Sequence, residues 1–302
     1  MLIAIDHGNK LTKLSGGGRV FVSGLAESDT RPPPGVDCIR WNGKYYALSE
    51  KRIPFLKDKS ANEKFFVLNL FAIASELQAI GQLNSGTHIS LAIGLPLNHY
   101  GALHERFTQY FLGRGKVEFE YNGAACGIEI DDAMCFPQGI AAAMTVYEQV
   151  KNIPKAMLID IGGYTADYVE MTAGRFNGAY DSLEQGVIVL YNDVVRKVSA
   201  DLDILLDEPD IDRLLRGEAG AYPEEVSDIV FDMALAFVNH LAGVLRERGF
   251  DLRFGNTVFV GGGALLLKDF LEASEKFGSC VLVDDIAANA KGYAIMYNAM
   301  KG

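Results

Sequence analysis

Two stretches of the sequence each place an aspartate at the end of an apolar run, directly before a polar turn that contains glycine. They are IAIDHGNKLTK, which contains Asp6, and LIDIGGYTADY, which contains Asp160. A carboxylate at the end of a buried strand is costly unless its charge is compensated. The glycine two residues later lets the backbone turn tightly and present N–H groups to an anion. The pattern predicts a turn that binds phosphate while its carboxylate faces hydrated Mg²⁺.

The other residues of each turn supply further candidates for phosphate binding. Lys13 is expected to return from the next strand toward the phosphates as a point charge. The remaining candidates are Gly8, Asn9 and Thr12 in the first turn, and Gly162, Gly163, Tyr164 and Thr165 in the second. Taken alone, either stretch also fits a surface hairpin with ordinary turn-forming residues. Two such stretches, half a chain apart, favour phosphate binding.

A third glycine-rich stretch, VFVGGGALLL, occurs near the end of the chain. The pattern predicts a strand, a tight turn and a helix whose N-terminus attracts anions. It has neither the GxGxxG spacing of a dinucleotide fingerprint nor the Lys-Ser or Lys-Thr pair of a Walker A loop. The candidate residues are Gly261, Gly262, Gly263 and Ala264.

Composition and charge limit the classes of protein that fit. The chain has 302 residues, of which 49% are hydrophobic, so a sizeable core is available and disorder is disfavoured. Its net charge of −11 disfavours direct binding to nucleic acid. The four scattered cysteines form no CxxC pair, and no signal peptide or membrane-spanning apolar run is evident. We therefore expect a cytoplasmic protein without membrane partners.

The order of elements repeats in the two halves of the chain. Each half reads as a strand, a polar turn, two further strands and then helices, with the aspartates about half a chain apart. This is a duplication of architecture rather than a short-period repeat. The pattern predicts two α/β lobes with a ligand cleft between them.

The three motifs, in this order and spacing, resemble the phosphate-1, phosphate-2 and adenosine motifs of the actin, sugar-kinase and heat-shock-chaperone ATPase superfamily. The resemblance covers residues 2–300. Within the superfamily the sequence looks most like the bacterial ParM/StbA-type plasmid-segregation actins. The short chain, SLAIGLPL before a helix, and FPQGIAAAM between the two halves support this resemblance.

The resemblance implies an actin-like two-lobed α/β fold, built from duplicated ribonuclease-H-like domains, with ATP and Mg²⁺ in the cleft. Lobe I is expected at 1–150, with a small insertion at about 30–80 and completion by the C-terminal helix at 286–302. Lobe II is expected at 151–285, with a helical insertion at about 200–250.

The resemblance also implies roles for individual residues. Asp6, Asp160 and Gln138 would be the catalytic residues. Asp6 and Asp160 would hold the waters of Mg²⁺, and Asp160 would also polarise the attacking water, which Gln138, on the first connecting helix, would orient. Lys13 and the turn amides would offset charge on the β- and γ-phosphates. Gly186 and the 261–264 stretch would lie near the nucleotide.

Three residues depart from the family pattern or have an open role. His7 stands where a small or acidic residue is common, and we interpret it as a turn residue. Tyr164 is bulky for the second turn and either closes over the phosphates or points to solvent. Asp167 is expected to brace its hairpin rather than bind metal.

The leading functional hypothesis is an ATPase that forms head-to-tail filaments and segregates plasmid or other DNA through an adaptor protein. The alternatives are a small-molecule kinase, or an ATPase regulator that does not polymerise, on the same fold. A kinase needs a carboxylate base for its substrate hydroxyl. Asp131 and Asp132 are the carboxylates just upstream of Gln138, although we expect them to end a strand.

Overall fold

A computed structural model of the chain describes residues 1–16, 19–83, 86–218 and 222–302. Within these residues the strands are β1 (Leu2–His7), β2 (Leu11–Leu14), β3 (Val20–Val22), β4 (Leu25–Ser28), β5 (Cys38–Trp41), β6 (Lys44–Leu48), β7 (Thr87–Leu95), β8 (Lys116–Tyr121), β9 (Ala124–Pro137), β10 (Lys155–Ile161), β11 (Ala166–Thr172), β12 (Arg175–Leu183), β13 (Asn256–Val260) and β14 (Ser279–Leu282). The α-helices are α1 (Glu63–Ala79), α2 (Leu97–Leu112), α3 (Ile140–Met144), α4 (Tyr147–Val150), α5 (Val187–Leu202), α6 (Glu208–Leu215), α7 (Glu224–Glu247), α8 (Gly262–Leu266), α9 (Lys268–Ala273) and α10 (Ala288–Lys301). Residues 219–221 of the predicted helical insertion lie outside the described residues.

The chain divides into two compact units. The first comprises Met1–Thr145 together with Ile286–Gly302, and the second comprises Val146–Asp285. The C-terminal helix α10 therefore belongs to the same unit as the N-terminal strand.

The described part of the first unit contains a nine-stranded sheet in the order β3-β2-β1-β7-β9-β8-β5-β6-β4. Strands β1, β2 and β3 form an antiparallel meander, and β7 and β9 run parallel to β1. The remaining strands extend the sheet beyond β9.

Helices cover both faces of this sheet, as the alternation of side chains along β1 requires. Ile3 and Ile5 lie in the larger core, with the aromatic and aliphatic residues of α1 and α2. Ala4 faces the other way, into a smaller cluster that includes Ala141 of α3 and Tyr293 of α10. The small residue on that face lets α10 approach the sheet closely.

The described sheet of the second unit has the order β12-β11-β10-β13-β14. Strands β10, β11 and β12 form an antiparallel meander, and β13 and β14 run parallel in register beside β10. This arrangement repeats β3-β2-β1-β7-β9 of the first unit. The predicted duplication is confirmed, and the two aspartate-bearing strands, β1 and β10, occupy equivalent central positions.

Helices α5, α6 and α7 build the core of the second unit. The buried residues of α7 recur every three or four positions, as expected for a helix with one face in a core: Val226, Val230, Ala234, Val238, Leu241, Ala242 and Leu245. Among the described residues, α7 is the one helix long and apolar enough to cross a membrane by length and composition. Core helices of soluble proteins meet the same criteria, and the buried stripe assigns α7 to the core.

The segment that carries Gln138 differs from the prediction. We expected Gln138 to lie on a helix, but β9 continues through Pro137, and α3 begins only at Ile140. Gly139 has a φ of 75°, a conformation that glycine adopts readily. Gln138 therefore lies in a tight turn between a strand and a short helix, not on the helix.

Candidate functional site

The first aspartate is buried and held by side chains from two other elements. Asp6 is paired with Lys13 across the β1–β2 ladder, and the Lys13 ammonium lies 2.9 Å from Asp6 Oδ2. Gln138 donates from Nε2 to Asp6 Oδ1 at 2.7 Å. The fold thus brings three predicted site residues together within the first unit, and each carboxylate oxygen retains a further lone pair for a water.

The carbonyl groups of the first turn are bound from behind. Lys59 donates from Nζ to the His7 carbonyl, and Ser23 donates from Oγ to the Gly8 carbonyl at 2.7 Å. The amide of Ser23 binds the Lys10 carbonyl at 2.9 Å. In a trans peptide the C=O of one residue and the N–H of the next point in opposite directions. Fixing these carbonyls therefore turns the amides of Gly8, Asn9 and Leu11 to the other side of the turn.

The other candidates of the first turn have different environments. Gly8 cannot carry a side chain without displacement, because a Cβ there would lie 2.6 Å from the Leu11 carbonyl oxygen. Asn9 is half-buried. Thr12 is fully buried, and its hydroxyl lies 2.9 Å from that of Ser23. The Thr12 side chain thus supports Ser23 from within the unit.

The second turn is fixed in the same way, by the start of α5. The amides of Gly186, Val187 and Ile188 bind the carbonyls of Tyr164, Gly162 and Gly163 at 3.0, 3.1 and 2.9 Å. The Gly162 amide binds the Thr165 carbonyl at 2.8 Å, which closes the turn. By the same peptide geometry, the amides of Gly163, Tyr164 and Thr165 face away from α5.

Gly186 belongs to this arrangement because the second turn packs directly on it. A Cβ at Gly186 would lie under 3.0 Å from the main chain of both Gly163 and Tyr164. Tyr164 itself is half-buried. Gly186 was predicted to lie near the nucleotide only through the family resemblance. Its contact with Gly163 and Tyr164 now gives a physical reason for a glycine at this position.

The third glycine-rich stretch lies against the second aspartate. Gly261 has a φ of 94°, and a Cβ there would lie under 3.0 Å from Asp160 Oδ1. A Cβ at Gly263 would lie 2.7 Å from the Ile161 carbonyl oxygen. Gly262 is half-buried and Ala264 is buried. The helix that follows, α8, is only five residues long. The predicted helix N-terminus is therefore present, but it belongs to a helix of little more than one turn.

Asp167 lies directly opposite Asp160 in the β10–β11 ladder. Both residues are only 7% exposed. Burial, helped by the nearby Asp160 carboxylate, raises the pKa of Asp167 to about 7, although hydrogen bonds from Ser182 and Thr165 lower it. Thr165 donates from Oγ1 to Asp167 Oδ2 at 3.4 Å, which agrees with a bracing contact within the hairpin.

This pair predicts how the stability of the nucleotide-free protein depends on pH. The pKa of Asp167 is raised in the folded state, from 3.8 to about 7, so the folded state binds the proton more tightly. The stabilisation that protonated Asp167 contributes is therefore lost as the pH rises from about 4 to 7, and its contribution stays constant above that range. Asp167→Asn, which mimics the protonated acid, should stabilise the protein by about 2–4 kcal/mol at pH 8 and by nothing near pH 4.

Urea unfolding of wild type and Asp167→Asn in EDTA, from pH 4 to 8, measures this difference. In the difference between the two free energies of unfolding, the contributions of all other titrating groups cancel. If the free energy of unfolding depends on pH in the same way for both proteins, the pKa of Asp167 is not raised by burial beside Asp160.

His7 is not the turn residue that we expected. It is the last residue of β1, with no exposed surface, and its ring stacks on Phe111 with centroids 5.7 Å apart and meets Phe107 edge-on. Within the described residues neither ring nitrogen has a hydrogen bond of normal geometry, although Asn69 lies close enough to affect its pKa. Burial, together with the charge of Lys59, lowers the pKa of His7 to about 3, so the ring is neutral.

The donor set of each turn, taken by itself, suits phosphate oxygens and the waters of Mg²⁺. Each unit provides a buried carboxylate, Asp6 or Asp160, beside a turn whose outward amides can bind phosphate oxygens. Gly8 and Gly261 keep the space beside Lys13 and Asp160 free of side chains. Because Mg²⁺ retains several of its waters in protein sites, the Asp6 carboxylate can still bind it through water while engaged by Lys13 and Gln138.

Sequence reasoning missed two residues of this site, Ser23 and Lys59. Ser23 holds two carbonyls of the first turn from the residue after β3, and nothing in its local pattern indicated this. Lys59 lies in LKDKSANEK, a charged stretch of the type that usually faces solvent.

The repeated α/β topology, with an aspartate and a turn held from behind at the same place in each unit, matches the actin-like fold of known proteins. Two family models match the sequence, "Actin like proteins N terminal domain" over residues 4–140 and "Archaeal actin homologue MreB-like, C-terminal" over residues 158–273. Together they span most of the chain, which belongs to the actin-like superfamily.

Solved structures share this fold over nearly the whole chain. Ta0583, an archaeal actin homolog in complex with ADP, is 19% identical, with a TM-score of 0.76 and 99% of each chain covered. Bacillus thuringiensis ParM with ATP is 14% identical, with a TM-score of 0.70, covering 99% of this chain and 98% of ParM. The Alp12 filament structure is 17% identical, with a TM-score of 0.68, covering 100% of this chain and 99% of Alp12. None of the curated proteins matches this sequence at a significant level.

Proposed function

We propose that this protein binds Mg-ATP through its two turns and hydrolyses it, and that ATP-bound copies assemble head to tail into filaments. The observation that carries the proposal is the matched construction of the turns. In each unit a buried aspartate precedes a turn whose carbonyls are held from behind, so its amides face one side together. Such a row of amides is suited to phosphate oxygens.

Individual residues take the following roles in the proposal. The outward amides of the two turns, with Lys13, bind the β- and γ-phosphates, and the 261–264 stretch packs near the adenosine and α-phosphate. Asp6 and Asp160 hold Mg²⁺ through its waters. When bound, the metal would neutralise charge that develops on the phosphates.

Gln138 has a geometry suited to orienting a water. Its Nε2 donates to Asp6, which fixes the amide plane and leaves the Oε1 oxygen as the acceptor for a water hydrogen. A glutamine is a poor base, so the proposed role is positioning rather than proton removal.

Gln138→Ala should therefore slow phosphate release about a hundredfold while changing the affinity for Mg-ATP by less than about threefold. Single-turnover hydrolysis and equilibrium binding measure the two quantities. Gln149→Ala, an exposed glutamine on α4, is the control and should match wild type. A variant that loses binding and hydrolysis equally would show that Gln138 only supports the fold of the turn.

Two solved structures with this fold support the filament proposal. Alp12 was solved as a filament and ParM with ATP, and both share this fold. A head-to-tail contact is heterologous and propagates without closing. The net charge of −11 favours an adaptor protein, rather than direct contact, as the link to plasmid or other DNA.

The experiment combines phosphate release with sedimentation in Mg-ATP at several salt concentrations. ATP hydrolysis accompanied by ATP-dependent pelleting is the expected result. Hydrolysis without pelleting at any salt concentration would contradict the filament proposal and would favour an ATPase regulator that does not polymerise.

The kinase alternative gains no support from the upstream carboxylates. Asp131 pairs with His88 at 2.8 Å among exposed residues, and Asp132 accepts from Tyr297 at 2.6 Å and pairs with Lys301. Both aspartates lie within β9 rather than at its end. Each is engaged away from Asp6 and Gln138, so neither is placed as a base beside the first turn.

A further inference from the structure

Lys59 is a lysine whose burial requires an explanation. It lies in a 3₁₀ turn, Lys59–Ala61, and is only 3% exposed. Lysine is almost never fully buried unless its charge is paired, because removing an ammonium from water is costly. Burial lowers the pKa of Lys59 to about 8, so the group is still mostly charged at pH 7.

The segment around Lys59 is held firmly in place. Asp58 accepts from the Ser60 amide at 3.0 Å and pairs with Arg106 of α2, also at 3.0 Å. The Lys59 ammonium donates to the His7 carbonyl and lies 5.7 Å from the centre of the Phe65 ring. The lysine is therefore directed at the end of β1 by contacts on both sides.

The groups that face Lys59 leave an excess of positive charge. Asp6 stabilises its ammonium, whereas the Lys13 ammonium opposes it. His7 is neutral, and burial raises the pKa of Cys135 to about 12, so that thiol is neutral as well. Among the described residues that act on Lys59, two ammonium groups, those of Lys59 and Lys13, thus share the one carboxylate of Asp6 in a buried place. An added anion would stabilise this arrangement.

The hydrogen bond to His7 also sets the direction of a specific amide. The His7 carbonyl and the Gly8 N–H belong to one peptide and point in opposite directions. By holding the carbonyl, Lys59 directs the Gly8 amide away from itself, toward the side of the turn that faces the proposed phosphate.

We propose that Lys59 is a positioning residue of the first phosphate turn and its second cation, and that it selects for the phosphates of the nucleotide rather than for the nucleoside. This inference rests on the proposed binding of ATP. It assigns the lysine a role through the His7–Gly8 peptide and through its charge, without direct contact with the phosphate.

The test compares Lys59→Met with Lys57→Met. Methionine keeps the length and apolar stem of lysine but removes the donor and the charge. Lys57 is an exposed lysine two residues away, so the control has the same change in net charge on the same segment. Calorimetry measures the affinity of each protein for Mg-ATP and for adenosine, and thermal unfolding checks that each is folded.

Lys59→Met is expected to weaken Mg-ATP binding by about tenfold or more, with adenosine affinity unchanged within about twofold. Lys57→Met should match wild type for both ligands. Equal losses for Mg-ATP and adenosine, or unchanged Mg-ATP binding by Lys59→Met, would overturn the inference. Wild type that binds no Mg-ATP would instead contradict the proposed function itself.

Should Lys59→Met fail to fold, Lys59→Gln takes its place, because the glutamine amide keeps a donor for the buried His7 carbonyl. It still lacks the positive charge, so it should also lose affinity for Mg-ATP and keep that for adenosine. Full Mg-ATP affinity in a folded Lys59→Gln would overturn the role of the charge.

Discussion

Asp160→Asn is expected to reduce phosphate release from Mg-ATP by at least about a thousandfold while the protein remains folded. The substitution removes the carboxylate charge at the second turn but keeps its size, so the close approach of Gly261 is preserved. It also removes a like charge that faces the strained carboxyl of Asp167. The stability of the free protein should therefore stay the same or increase, which separates a loss of chemistry from a loss of fold.

Steady-state phosphate release and urea unfolding measure these two effects on one preparation. Asp232→Asn, at an exposed position of α7, makes the same change in charge and should behave as wild type. Normal turnover by Asp160→Asn would refute the assignment of the second turn as a site of ATP chemistry.

Gly292→Ala is expected to destabilise the first unit by at least about 3 kcal/mol, or to prevent folding. Gly292 lies inside α10, where alanine would normally favour the helix by about 1 kcal/mol. However, a Cβ there would lie well under 3.0 Å from the carbonyl oxygen and carbon of Ala141 in α3. Main-chain atoms at that distance cannot move aside cheaply, so the steric cost outweighs the gain in helix propensity.

Gly243→Ala provides the matched comparison, because Gly243 is an exposed residue inside α7 and a Cβ there meets nothing within 4 Å. It should stabilise the protein by about 0.5–1 kcal/mol. Thermal and urea unfolding of both variants gives the two free energies. A Gly292→Ala protein as stable as Gly243→Ala would contradict the close packing of α10 on α3.

The duplicated fold could be predicted because its signals are local. Each central strand is a short apolar run that ends in Asp and a glycine turn, and the repetition of that pattern is visible in the sequence. The close approach at Gly261 is also anticipated by a run of three glycines, because only a residue without a side chain fits beside Asp160.

Features that depend on distant residues could not be predicted. Whether His7 lies in a turn or in the core depends on Phe107 and Phe111 of α2, about a hundred residues away. Lys59 has the same local appearance as its exposed neighbour Lys57, and only the path of the chain directs one of them to β1. The helix predicted at Gln138 was misplaced because the composition of PQGIAAAM favours a helix, whereas pairing with β7 extends β9 through Pro137.

A crystal structure with Mg²⁺ and a non-hydrolysable ATP analogue tests the central claim most directly. We predict that the phosphates accept hydrogen bonds from the outward amides of both turns, including those of Gly8 and Gly163. The metal should lie within one water of Asp6 and Asp160, with the adenosine beside the 261–264 stretch. A nucleotide bound elsewhere, or phosphates that contact neither turn, would contradict the account.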